Sequence, residues 1–70
     1  MEVVVHRMSP NAGHITETIP VEQVRFDPAV ESVVVARTAV HSMEELIETT
    51  ANYSSPEPLE VYIMPRLVGG

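Results

Sequence analysis

The chain has no cysteine, no lysine and no tryptophan, and only three of its 70 residues are glycine. Without cysteine there is no disulfide, no thiolate zinc ligand and no cysteine nucleophile, so the fold rests on packing alone. The longest apolar runs are three or four residues, against about 20 needed for a membrane-crossing helix. No basic segment followed by an apolar one opens the chain, so the expectation is a cytoplasmic protein without a targeting segment. Positive charge is scarce too: four arginines, Arg7, Arg25, Arg37 and Arg66, face ten acidic residues, for a formal charge of −6. That sign disfavours nucleic acid and anionic membranes as partners. At 7.7 kDa one small domain fits, burying only about 60% of the surface its unfolded chain exposes. A deep catalytic cleft has no room, and the expectation is a protein that is not an enzyme.

Valine is what the chain has in quantity, and it sets the strands. Glu2 to Met8 alternates, with Val3 and Val5 on one face and Val4, His6 and Met8 on the other. The turn formers of Ser9-Pro10-Asn11-Ala12-Gly13 follow, and Ile15, Ile19 and Val21 then recur at even spacing against Thr16 and Thr18, which predicts an antiparallel hairpin. Glu22 to Pro28 reads as a strand end or irregular crossover. Two readings of residues 29–40 stay open. Val33-Val34-Val35-Ala36 suits a central strand covered on both faces, whereas Asp27 as a cap with Pro28 at the first helical position would start a helix over Ala29–Val40.

Ser42 with Glu45 forms a capping box, and Met43, Leu46, Ile47, Thr50 and Ala51 recur at helical spacing behind it, which predicts an amphipathic helix facing the core. Asn52 to Pro58 breaks the helix. The last strand alternates Leu59, Val61 and Ile63 with Glu60, Tyr62 and Met64. Together these elements predict a two-layer α+β domain with a mixed sheet and one main helix, in which the strand at residues 33–39 and the last strand run parallel through a right-handed crossover without having to be neighbours.

The side chains of catalysis do not assemble into a motif. His6, His14 and His41 show no metal-ligand spacing, read as surface or turn residues, and leave no expected metal site. Glu44, Glu45 and Glu48 include first-turn acids that the helix dipole favours by itself. No Gly-flanked serine marks a nucleophile elbow, and no glycine-rich phosphate loop exists. The distribution of glycine is the informative feature: positions 13, 69 and 70 hold all three.

The run Leu59-Glu60-Val61-Tyr62-Ile63-Met64-Pro65-Arg66-Leu67-Val68-Gly69-Gly70 resembles the end of ubiquitin and its relatives, where an alternating final strand passes into a tail of the form Arg-Leu-x-Gly-Gly. Arg66, Leu67, Gly69 and Gly70 match that tail, and Val68 stands where ubiquitin has a second arginine. Pro65 is similar instead to the prokaryotic sulfur carriers, whose last strand often ends in proline before Gly-Gly.

The resemblance implies a small β-grasp-like domain over residues 1–64 and an extended, flexible tail over 65–70. It departs from ubiquitin in one respect, since ubiquitin's main helix follows the first hairpin directly. It implies a protein modifier whose Gly70 carboxylate, approached through Gly69, is adenylated by an activating enzyme that consumes ATP, with no cofactor bound by the chain itself. Arg66, Leu67 and Val68 would contact that enzyme, though Arg66 is equally readable as a solvated arginine. Implied partners are the activating enzyme, a conjugating enzyme, a Gly-Gly-cleaving protease and target proteins joined through isopeptide bonds.

The alternatives are a sulfur carrier with a C-terminal thiocarboxylate, and an interaction module in which Gly69-Gly70 is incidental. Without lysine a modifier could extend on itself only through the Met1 amine; arginine-rich coding would also explain the missing lysine. Met8, Tyr62 and Met64 are the expected partner-binding patch on the sheet face away from the helix.

Overall fold

The computed structural model describes residues 1–9, 13–54 and 56–66. Strands β1 (Glu2–Ser9) and β2 (Gly13–Pro20) pair antiparallel over their full length, from Glu2 opposite Pro20 to Ser9 opposite Gly13. Gly13 closes this hairpin at φ +75°, a conformation that glycine adopts without a steric penalty. A single 3₁₀ turn, Val21–Gln23, leads into an irregular crossover. Then come β3 (Glu31–Val35), β4 (Thr38–Val40), helix α1 (Met43–Ala51) and β5 (Glu60–Pro65). The sheet order is β2-β1-β5-β3-β4. β5 lies in the middle, parallel to β1 and antiparallel to β3.

Residues 29–40 therefore form two strands and no helix. Asp27 and Pro28 make a tight turn, in which the Asp27 carboxylate accepts from the Ala29 N–H and its carbonyl accepts from Val30 and Glu31. One turn satisfies these signals, and the β-branched run after it goes to the sheet. The expected single strand over residues 33–39 is also corrected. β3 reverses into β4 through a two-residue turn at Ala36 and Arg37, whose φ angles are 51° and 66°. This reversal leaves β3 antiparallel to β5, and the parallel relation expected across the helix holds for β4 and β5, which are not neighbours. Only one face of β3 is covered: Val33 and Val35 are buried, and Val34 is half-buried on the other side.

Positive φ at both central residues is the mark of the I′ turn, for which Asn-Gly is preferred. Alanine and arginine sit there at an energetic cost. The double variant Ala36→Asn, Arg37→Gly is expected to raise stability by roughly 1–2 kcal/mol, since a left-handed L-residue costs about that much, glycine at 37 sheds the cost and asparagine at 36 keeps most of it. A rise in the urea midpoint at unchanged slope is the readout, and an unchanged midpoint refutes the strain.

Val3, Val5, Val33, Val35, Val40, Leu59, Val61 and Ile63 form the covered face of the sheet. Its roof has two parts. Leu46 of α1 packs into one, and Val21 and Val24 of the crossover into the other, with Ile19, Phe26, Met43 and Tyr53 at the margins. Ser42 caps the helix as expected, accepting from the Glu45 N–H at 3.1 Å, while the Glu45 carboxylate accepts from the His41 N–H. The buried line on α1 is narrower than the apolar stripe suggests. Leu46 and Thr50 are buried, whereas Ile47 is 45% exposed and Ala51 lies at the surface. Thr50 meets its own polar requirement by donating to the Ile47 carbonyl at 2.8 Å.

At one edge of the covered face Arg7 pairs with Glu31 at 2.9 Å and also donates to the Arg25 carbonyl. The second Glu31 oxygen accepts from the Asp27 N–H. This chain of contacts ties the crossover to β1 and β3. Among the described residues no helix is long and apolar enough to cross a membrane.

Candidate functional site

The sheet face away from α1 carries the residues that the core does not use. Strand alternation puts Val4, His6 and Met8 of β1 there, with His14, Thr16 and Thr18 of β2, Glu60, Tyr62 and Met64 of β5, and Ser32 and Val34 of β3. Register aligns one row across all five strands: Thr16, His6, Tyr62, Val34 and Ala39. His6 stands in this row, 14% exposed at its side chain. Its ring stacks on Tyr62 with centroids 4.6 Å apart and planes within 10°.

Polar contacts fix the His6 ring on both sides. Nε2 lies 2.8 Å from Glu60 Oε1. An ionised carboxylate only accepts, so Nε2–H donates to it, and in the neutral ring this leaves the lone pair on Nδ1. That lone pair faces His14 Nε2 at 3.1 Å and Thr16 Oγ1 at 3.4 Å. Thr16 Oγ1 is in turn 3.4 Å from His14 Nε2. His6 and His14 thus do not stand apart as unrelated surface residues; the hairpin register makes them diagonal neighbours, and His6 is largely enclosed. The signal for this was present in the sequence, since both histidines fall on the same face of any hairpin turning at residues 10–12.

The expected patch of Met8, Tyr62 and Met64 does lie on this face, with Met8 exposed and the other two half-buried. It is not a continuous apolar surface, because His6, His14 and Glu60 come between and beside its members. Next to it an open cleft of about 490 Å³ is lined by Arg37, Tyr53, Glu57, Glu60 and Tyr62. The strained turn projects Arg37 into its wall. A smaller depression of about 230 Å³ is bordered by Ser32, Ala39, His41 and Arg66.

Arg66 marks where the chain leaves the sheet. β5 runs to Pro65, opposite Glu31, and the Arg66 N–H donates to the Val30 carbonyl at 2.8 Å. Leu67, Val68, Gly69 and Gly70 lie outside the described residues. Among the described residues no three histidine, cysteine or acidic side chains converge as metal ligands, and no buried side-chain polar atom lacks a hydrogen-bond partner. Comparisons with protein-family models, with curated proteins and with solved structures return no match.

Proposed function

We propose that the chain is a ubiquitin-like modifier, activated at the carboxylate of Gly70 and then joined to amines of target proteins. The observation that carries this reading is the sequence Arg66-Leu67-Val68-Gly69-Gly70 directly behind an alternating strand. The fold is compatible with it: a mixed five-stranded sheet with one helix across a single face is β-grasp-like in outline. The helix sits between β4 and β5 instead of after the first hairpin, and the crossover at residues 21–26 fills part of the roof in its place.

The chemistry needs little from the chain except access. A carboxylate oxygen of Gly70 attacks the α-phosphorus of ATP, the bond to the bridging oxygen breaks, and pyrophosphate leaves. The acyl adenylate then loses AMP to an enzyme thiolate, giving a thioester, and a target amine displaces the thiol to form the amide. Two glycines without Cβ atoms let this backbone pass through a groove too narrow for other residues. The same carboxylate serves whether it ends the chain from synthesis or is uncovered by cleavage behind Gly70. Arg66, at the mouth of the tail, offers a charge for acidic groups of the activating enzyme.

A second reading has its own support. Pro65 at the end of β5 is the feature shared with sulfur carriers, in which the adenylate is attacked by a sulfur donor and a thiocarboxylate results. Intact-mass measurement of the protein recovered from its native host separates the two. Conjugates carrying the chain on other proteins are the expected result, an exchange of one terminal oxygen for sulfur establishes the carrier, and a chain that stays unmodified with ATP and candidate activating enzymes overturns both.

A further inference from the structure

We propose that His6, His14 and Thr16 form a binding site for a divalent zinc ion on the helix-free face of the sheet, with Glu60 orienting His6. Three donor atoms converge there: His6 Nδ1 and His14 Nε2 are 3.1 Å apart, and Thr16 Oγ1 is 3.4 Å from each. Tetrahedral zinc with bonds of about 2.1 Å holds its ligand atoms roughly 3.4 Å from one another. The donor triangle is therefore close to one face of a zinc tetrahedron before any metal enters, and the fourth position opens to solvent.

The surroundings of His6 fit a ligand as well. Metal-bound histidines commonly donate their second N–H to a carboxylate, which fixes the tautomer and makes the free nitrogen a better donor. Glu60 does this at 2.8 Å, and stacking on Tyr62 holds the ring plane. Zinc entry replaces the hydrogen bond between the two imidazoles: His14 carries its proton on Nδ1, exchanged through solvent, and turns its Nε2 lone pair to the metal. Imidazole nitrogen selects zinc, copper or nickel over calcium and magnesium, which prefer oxygen ligands. Two imidazoles and a hydroxyl make a weaker site than a set of three or four imidazoles or thiolates. His14 and Thr16 lie exposed on β2, so zinc reaches the site without any opening of the fold.

Zinc chloride titrated into the full chain at neutral pH, followed by calorimetry and by the imidazole NMR signals, tests this. One ion per chain is expected, with the His6 and His14 signals moving together and His41 unmoved. His14→Gln should weaken binding at least tenfold while melting as the wild type does, because the side chain is exposed. Glu60→Gln should weaken it roughly tenfold or more through the loosened His6 ring, and His41→Gln should leave it unchanged. No saturable binding, binding that survives His14→Gln, or binding that disappears with His41→Gln overturns the site.

Discussion

Leu46→Ala is expected to leave the domain largely unfolded at room temperature. Leu46 is fully buried, 0% exposed, and it is the large apolar side chain that α1 sinks into the sheet's core. Truncating a buried leucine costs about 2–5 kcal/mol, from lost burial and the cavity left behind. A single core in a chain of this length rarely supplies more than about 3–5 kcal/mol in total. The two ranges overlap, so one truncation consumes most or all of the stability. Circular dichroism through a urea titration should show a midpoint near zero denaturant for this variant. Ile47→Ala, one position along, serves as the control: at 45% exposure its loss should stay below about 1 kcal/mol. Equal effects from the two variants would mean that α1 packs through a different face.

A chain cut back to Val68 is expected to lose all ATP-dependent activation while melting as the full chain does. Among the described residues the buried core ends at Ile63, and the last ladder contact is the one from Arg66 to Val30. The cut behind Val68 removes only Gly69 and Gly70 and leaves all of these residues in place. What their removal changes is the reacting end: valine has a β-branched side chain, stiff at χ1, where glycine had none. Pyrophosphate exchange with a cognate activating enzyme is the direct assay, with melting measured on the same preparation. Undiminished exchange would remove Gly70 from the chemistry and favour the chain as an interaction module.

Local signals made much of the fold legible in the sequence. The first hairpin, the Ser42 cap and the alternation of β5 depend on neighbours a few residues apart, and each formed as expected. Orientation of β3 was not legible, because its turn uses Ala36 and Arg37 in a conformation that normally announces itself by Asn-Gly. Without that signal the chain reads as one continuous segment from residue 33 to 39, and the direction of everything behind it inverts.

The narrow buried line of α1 has a related cause. Leu46 and Ile47 are both apolar, and only the shape of the opposing valine surface chooses between them. The place of Glu60 beside His6 was hidden by distance, since the two are 54 positions apart and meet only through the parallel register of β1 with β5. Strand alternation placed Met8, Tyr62 and Met64 on the correct face, but it could not say which polar side chains would come between them.

The central place of β5 has a consequence for how the molecule comes into being. The two hairpins, β1–β2 and β3–β4, form no ladder with each other; β5 joins them, pairing with β1 on one side and β3 on the other. Such long-range pairings must overcome loop closure before they return any energy, which slows folding. On a ribosome both hairpins emerge early and wait, their inner edges unpaired, until the last strand is released. Completion of the sheet is thereby tied to the emergence of the segment that leads into Arg66. The same strand that finishes the core also fixes Pro65 and Arg66 at the sheet's end.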